Sequence, residues 1–151
     1  MPDREDRGEQ AHIDGRSRVF TRRSARIAAP LGMLGVLAVQ FLLGMAVNLY
    51  VHLPSAGAGM AEMMGSGPLV MTHMMLGMLL AAGALVAVAV AIPYGRWAVG
   101  CAAVALGGIL VAGLGGLLFL TDGQSNGASY LMAVGFLVAV GGYVAEVVTV
   151  R

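Results

Sequence analysis

The sequence predicts an all-α protein, a four-helix transmembrane bundle running up-down-up-down, with N-terminus and C-terminus both cytoplasmic. Three observations predict it. The 151-residue chain is 58% hydrophobic and only 11% charged, where a soluble domain carries about 25% charged residues. The charges are crowded at one end: seven of nine arginines and five of eight acids fall in residues 1–26, and lysine is absent. Past Arg26 only Glu62, Arg96, Asp122, Glu146 and Arg151 are charged, too few to solvate the surface of a water-soluble fold. Finally, four apolar stretches each reach the roughly 20 residues that a crossing helix needs.

Residues 1–26 read as a disordered cytoplasmic tail of mixed basic and acidic character, and residues 27–151 as the four-span membrane domain. Within the tail, "TRRSARI" resembles a twin-arginine export signal. The apolar stretch behind it runs to about 24 residues, longer than the roughly 7–15 of a signal's apolar region, so a retained first span is expected. That span covers residues 28–51, with Pro30 in its first turn, where a missing N–H is harmless. The second covers residues 68–92. Ser66 is its expected N-cap, Pro68 suits its first turn, and Pro93 stops it. The third covers residues 97–120 and the fourth 128–148. "PYGR" joins the second and third, and the Gly, Asn and Asp of "TDGQSNG" favour a turn between the third and fourth. Orientation follows from the arginines. Arg16, Arg18, Arg22, Arg23 and Arg26 precede the first span, Arg96 lies in the second link, and Arg151 follows the fourth. The other two links hold no Lys or Arg, so every base falls on one side, the cytoplasmic one.

The stretch "GMAEMMGSGPLVMTHMMLGM", residues 59–78, holds seven of the eleven methionines and one of three histidines. On a wheel of ~100° per residue, Met71, Met74, Met75 and Met78 share an arc of ~100°, continued by Leu85 and Ile92. His73 falls almost opposite, with Gly77, Leu80, Ala84, Ala87 and Ala91. Small residues let helix backbones approach, so the His73 side is the packed side. Thioether sulfur also suits Cu(I), and Met60, Glu62, Met63 and Met64 in the outer link form a candidate copper set. Packing or lipid contact is favoured, because His73 points away from the methionines and no cysteine is near.

His73 is an ionisable residue inside a span, which is by default a functional candidate. It lies ~8 Å below the outer boundary. On the first span Gln40, Gly44, Asn48 and His52 recur every four residues, a polar stripe on one face. Matching depths suggests a cluster of Asn48, His73 and Tyr130 in the outer half of the bundle, with His52 above it. Such contacts contribute only about 0.6–2 kcal/mol each, so structural glue competes with chemistry. Gly77 and Ala84 on the second span, and Gly108, Ala112 and Gly116 on the third, are the expected packing positions. Glu146 is placed to pair with Arg96 at the inner end. The lone Cys101 cannot form an intrachain disulfide. Neither a nucleic-acid signal nor a catalytic constellation is present, and the chain is not expected to be an enzyme.

Three segments, "QFLLGMAVNLYVHLP", "HMMLG" and "NGASYLMAVGF", resemble matching segments of an uncharacterised family of small bacterial four-helix integral membrane proteins. That family carries VNLYV-x-(I/L)-P at the end of helix one, H-x-x-L-G in helix two and N-G-A-S-(F/Y) opening helix four. The likeness covers roughly residues 36–140, and Asn48, Tyr50, His73, Asn126 and Gly127 are the matching motif residues. It implies a multi-pass protein of the bacterial inner membrane, with no activity to carry over. The methionine-rich link departs from the family's usually longer one. A fainter likeness, to four-helix haem proteins of the b561 and haem-A-synthase kind, rests on histidines in apolar helices. The leading expectation is a small accessory or partner-binding subunit, without a cofactor, that sits in the bilayer beside a larger membrane complex or its own copies. The alternatives are a haem-b electron-transfer protein using His52 and His73, and a Cu(I)-binding protein using the methionine-rich link.

Overall fold

The computed structural model describes residues 4–51, 62, 65–121 and 124–149, without the side chains of residues 4–25. Among the described residues the long helices are four: α1 (Arg4–Tyr50), α2 (Pro68–Ala91), α3 (Arg96–Thr121) and α4 (Asn126–Thr149). Each contains a segment long and apolar enough to cross a membrane: Arg26–Tyr50, Pro68–Tyr94, Arg96–Thr121 and Asn126–Thr149.

Local chemistry explains the helix boundaries, including three that differ from expectation. Helix α1 begins at Arg4, inside the segment expected as a disordered tail (residues 1–26), and is continuous with the first span over 47 residues. Ala, Arg, Glu and Gln are strong helix formers, so a polar composition does not by itself prevent a helix. Pro30 therefore lies in the helix interior rather than its first turn, and its side chain is fully buried. An interior proline forfeits one backbone hydrogen bond and crowds the preceding turn. The second difference is at α2. Its N-cap is Gly67, at φ +130°, a conformation that side-chain-bearing residues rarely adopt. Ser66 does not cap; its hydroxyl donates to the Glu62 carbonyl at 3.1 Å. Pro68 takes the first position of α2, as its missing N–H allows. The third difference is at α4, which begins at Asn126, two residues early, because the Ala128 N–H is capped by Ser125 Oγ at 3.3 Å. Asn126 and Gly127 are thus first-turn residues. Between α2 and α3 a 3-10 turn, Ile92–Tyr94, contains Pro93, and Gly95 at φ +99° reverses the chain.

The helices pack in a ring: α1 on α2, α2 on α3, α3 on α4, and α4 back on α1. The α3–α4 seam is by far the closest. A Cβ added to Gly108 would stand 2.5 Å from the Ala139 nitrogen and 2.6 Å from the Gly135 oxygen. One added to Gly115 would stand 2.8 Å from the Met132 nitrogen, and one on Gly142 2.7 Å from the Ala105 nitrogen. One on Gly135 would strike the Ala112 nitrogen and the Gly108 oxygen. Numbers rise on one helix as they fall on the other, so the two run antiparallel. The seam positions 101, 105, 108, 112 and 115 face 142, 139, 135, 132 and 128. This alternation of four and three is the spacing of a left-handed helix pair.

That spacing moves one expected packing position. Gly108 and Ala112 lie in the seam, but Gly115 rather than Gly116 completes it; a Cβ on Gly116 would meet only the Met132 sulfur, at 3.8 Å. Two steps of four drift ~80° around a helix, whereas four plus three returns to within ~20°.

The interior is built from small residues. Ala84, Ala102, Ala105 and Ala139 are fully buried, and Tyr143 is the one large aromatic among the fully enclosed side chains described. Large aliphatic side chains point outward instead: Leu42, Leu49, Met78, Leu79 and Leu137 are each more than 60% exposed. Phe41 of α1 stacks on Phe136 of α4 at 5.0 Å between ring centres.

Candidate functional site

Polar side chains inside this apolar bundle gather in two places. The first lies between α1 and α2. The Gln40 side-chain nitrogen donates to the His73 backbone oxygen at 3.1 Å and stands 3.5 Å from His73 Nε2. With both amide hydrogens given to His73, the ring accepts at Nε2 and carries its proton on Nδ1. Two glycines make room for the pair. A Cβ on Gly44 would stand 3.0 Å from His73 Cε1, and one on Gly77 would stand 3.2 Å from the Gln40 nitrogen. Each polar side chain therefore sits in a notch left by a glycine of the opposite helix. Gln40 Oε1 and His73 Nδ1 are buried without a hydrogen-bond partner among the described residues.

The residues expected around His73 lie elsewhere. Asn48 is exposed, Tyr130 is 72% exposed, and no hydrogen bond among the described residues joins either to His73. His52 lies outside the described residues. The antiparallel register of α1 and α2 explains the Asn48 position. It sets Gly44 against His73 and Gln40 against Gly77. By the same progression Asn48 faces position 69, one helical turn beyond His73. Gln40 belongs to the polar stripe visible in the sequence, but matching depths along α1 singles out Asn48. The length of the glutamine side chain and the two notches decide the pairing. Among the family-motif residues, Tyr50, Asn126 and Gly127 are exposed. Of the candidate copper residues, Glu62 is exposed, while Met60, Met63 and Met64 lie outside the described residues. Among the described residues, no three His, Cys, Asp or Glu side chains converge. Of the methionine arc, Met71, Met75 and Met78 are exposed and Met74 is half-buried, opposite the buried Leu80, Ala84 and Ala87.

The second gathering lies at the arginine-bearing end. Arg26 of α1 donates from Nη2 to the Tyr94 carbonyl oxygen at 3.4 Å, and its guanidinium carbon stands 5.2 Å from the centre of the Tyr94 ring. Behind it lie Tyr143 and Glu146, one helical turn apart on α4 and 0% and 6% exposed. Glu146 is within electrostatic range of Arg26, Tyr143 and the buried Cys101 of α3. The α3–α4 register, carried one step further, places the buried Ala98 opposite Glu146, with Cys101 one turn along α3. Arg26 Nε, the Tyr143 hydroxyl and Glu146 Oε2 are all buried without a hydrogen-bond partner among the described residues. The cation expected beside Glu146 was Arg96. Arg96 is instead exposed, because it opens α3 on the bundle's outer surface, and Arg26 is the arginine that turns inward.

Sequence reasoning missed Arg26 and Tyr143. The signal for Tyr143 was available, since it continues the small-residue seam of α4 one position past Gly142. No comparable signal marks Arg26 among the tail arginines. Compared with known proteins, the chain matches no family model, no curated protein and no solved structure.

Proposed function

We propose that this chain is a small multi-pass protein of the bacterial cytoplasmic membrane that serves as an accessory or partner-binding subunit. Its helices run up-down-up-down, with the Arg26, Tyr94 and Arg96 end toward the cytoplasm. The observation that carries this reading is the inverted placement of side-chain size. Alanine and glycine fill the interior, while leucine, valine and methionine cover the outside of all four helices. In water such a surface would aggregate; in a bilayer it is the solvated surface. The exposed Met71, Met75 and Met78 of α2 give that surface an adaptable side, since thioether chains repack readily against varied partners. The resemblance of three segments to a family of four-helix bacterial membrane proteins adds support. The Gln40–His73 pair then acts as polar glue between α1 and α2.

Photo-crosslinking in intact membranes tests the reading. A crosslinker at Met78 is expected to give one protein adduct of defined mass, and one at Leu110 on α3 to give chiefly lipid adducts. Lipid adducts alone at both positions would overturn the subunit role. An absorption spectrum and metal analysis of the detergent-purified protein address the alternatives: a Soret band would replace this reading with haem binding, and copper retained through dialysis would replace it with Cu(I) binding.

A further inference from the structure

We propose that Glu146 is a proton-binding site of the bundle, its carboxyl holding a proton that exchanges at the arginine-bearing end. Four observations converge on it. The side chain is 6% exposed, and its Oε2 has no hydrogen-bond partner among the described residues. The surroundings are apolar or weakly polar: the buried Cys101 of α3 lies within electrostatic range, and the fully buried Tyr143 lies one turn before it on α4. The described cation within electrostatic range is engaged elsewhere. Arg26 donates to the Tyr94 carbonyl at 3.4 Å and lies over the Tyr94 ring, so its charge reaches Glu146 only at a distance. Last, Glu146 sits in the final turn of α4, which ends at Thr149. The carbonyl oxygens of that turn, two of which (Ala145 and Glu146) accept from the Thr149 hydroxyl at 2.7 and 3.2 Å, form the negative end of the helix dipole, which disfavours a carboxylate.

A charged carboxylate in this setting would be almost wholly removed from water and without a partner in contact among the described residues, and a buried group so placed neutralises rather than remain ionised. A neutral carboxyl also supplies a donor. The Tyr143 hydroxyl, itself buried and unpartnered, offers an acceptor on the same helix face. The residual exposure of Glu146, three residues from the end of α4, gives the proton a short path to the aqueous boundary. Among the described residues, the titratable groups within electrostatic range of the carboxyl are Arg26 from α1, Cys101 from α3 and Tyr143 from α4, and Arg26 donates to the Tyr94 carbonyl. Arg26 therefore governs the balance: its approach to the carboxyl favours release of the proton, and its capture by Tyr94 favours retention.

The test uses the full-length protein in liposomes and the hydrophobic probe dicyclohexylcarbodiimide. A protonated carboxyl adds through oxygen to the probe's central carbon while its proton passes to a probe nitrogen. Acyl migration to nitrogen then leaves a stable N-acylurea, seen as a fixed mass gain on the peptide. Labelling is expected at Glu146, declining as pH is raised, absent in Glu146→Gln, and increased at neutral pH in Arg26→Gln. The exposed Glu62 serves as the control for a solvated carboxyl. Infrared spectroscopy of the unmodified protein gives an independent reading that requires no reactivity. The carbonyl band of a protonated carboxyl should be present, shift in heavy water, and disappear in Glu146→Gln. Absence of that band in the wild-type protein, its persistence in Glu146→Gln, or labelling of Glu146 no greater than that of Glu62 would overturn the proposal and identify Glu146 as an ionised partner of Arg26.

Discussion

Replacing Gly108 by alanine adds one methyl group to a 151-residue protein, and the α3–α4 seam predicts that this methyl group has no place. Its carbon would stand 2.5 Å from the Ala139 nitrogen and 2.6 Å from the Gly135 oxygen, where ordinary contact begins at 3.4 Å. Both obstacles are backbone atoms, so no side chain can rotate away. Relief requires the two helices to part by about 1 Å, which loosens every close contact along the seam, and overpacking of this kind costs about 1–3 kcal/mol. The neighbouring Gly107 is the control, because a Cβ there meets nothing within 4 Å. At that position alanine removes only the glycine penalty, which favours the helix by about 0.5–1 kcal/mol in an aqueous reference. Gly142 and Gly141 form a second such pair, blocked and open respectively. The assay is reversible unfolding in mixed micelles, with the four single variants compared in one detergent composition. The expected order is Gly108→Ala and Gly142→Ala below wild type, and Gly107→Ala and Gly141→Ala at or above it. Equal stability of Gly108→Ala and Gly107→Ala would refute the seam, because adjacent glycines of one helix differ only in what lies opposite them.

Four further outcomes are expected. In a double-mutant cycle, Gln40→Leu and His73→Leu should show a coupling of about 0.6–1.7 kcal/mol, the range for interhelical hydrogen bonds in membranes; additive effects would exclude the pair. Phe41→Leu and Phe136→Leu should couple by about 0.5–1.5 kcal/mol through loss of the ring stack, measured by the same unfolding assay. Arg26→Gln should lower thermal stability through loss of the Tyr94 contacts, while Arg96→Gln, on the exposed side, should leave it within about 0.5 kcal/mol of wild type. Finally, in a Cys101→Ala background, Ser66→Cys should react with an impermeant maleimide on intact cells, and Arg96→Cys only after permeabilisation. Reaction of Arg96→Cys on intact cells would reverse the proposed orientation.

The α2 wheel shows how far periodicity reaches. The direction of each side chain on that helix follows from ~100° per residue, and the buried Leu80, Ala84 and Ala87 fall on the side opposite the exposed Met71, Met75 and Met78. The same reasoning weakens wherever two helices must be set in register. Asn48 and Gln40 occupy one stripe of α1, two steps of four apart, and depth alone favours Asn48 as the partner of His73. Choosing between them requires knowing that Gly44 lies level with His73. Gly116 and Gly115 pose the same problem, since each belongs to a small-residue pattern and only the crossing geometry selects one. Arg26 and Arg96 repeat it for charge: both stand at the same end of the bundle, and the sequence holds nothing to say which turns inward.

By itself the sequence determined the number of apolar helices, their approximate limits and the side of each that is small or bulky. Those properties are local, because hydrophobicity and helical periodicity depend on residues within a few turns of one another. Tertiary structure decided the rest: the backbone-to-backbone seam of α3 and α4, the fit of His73 over Gly44, and the enclosure of Glu146 behind Arg26 and Tyr143. These depend on how far one helix slides along another. In a bundle whose interior is largely alanine and glycine, that sliding is resisted by close contacts of about one methyl group, a quantity no single segment encodes.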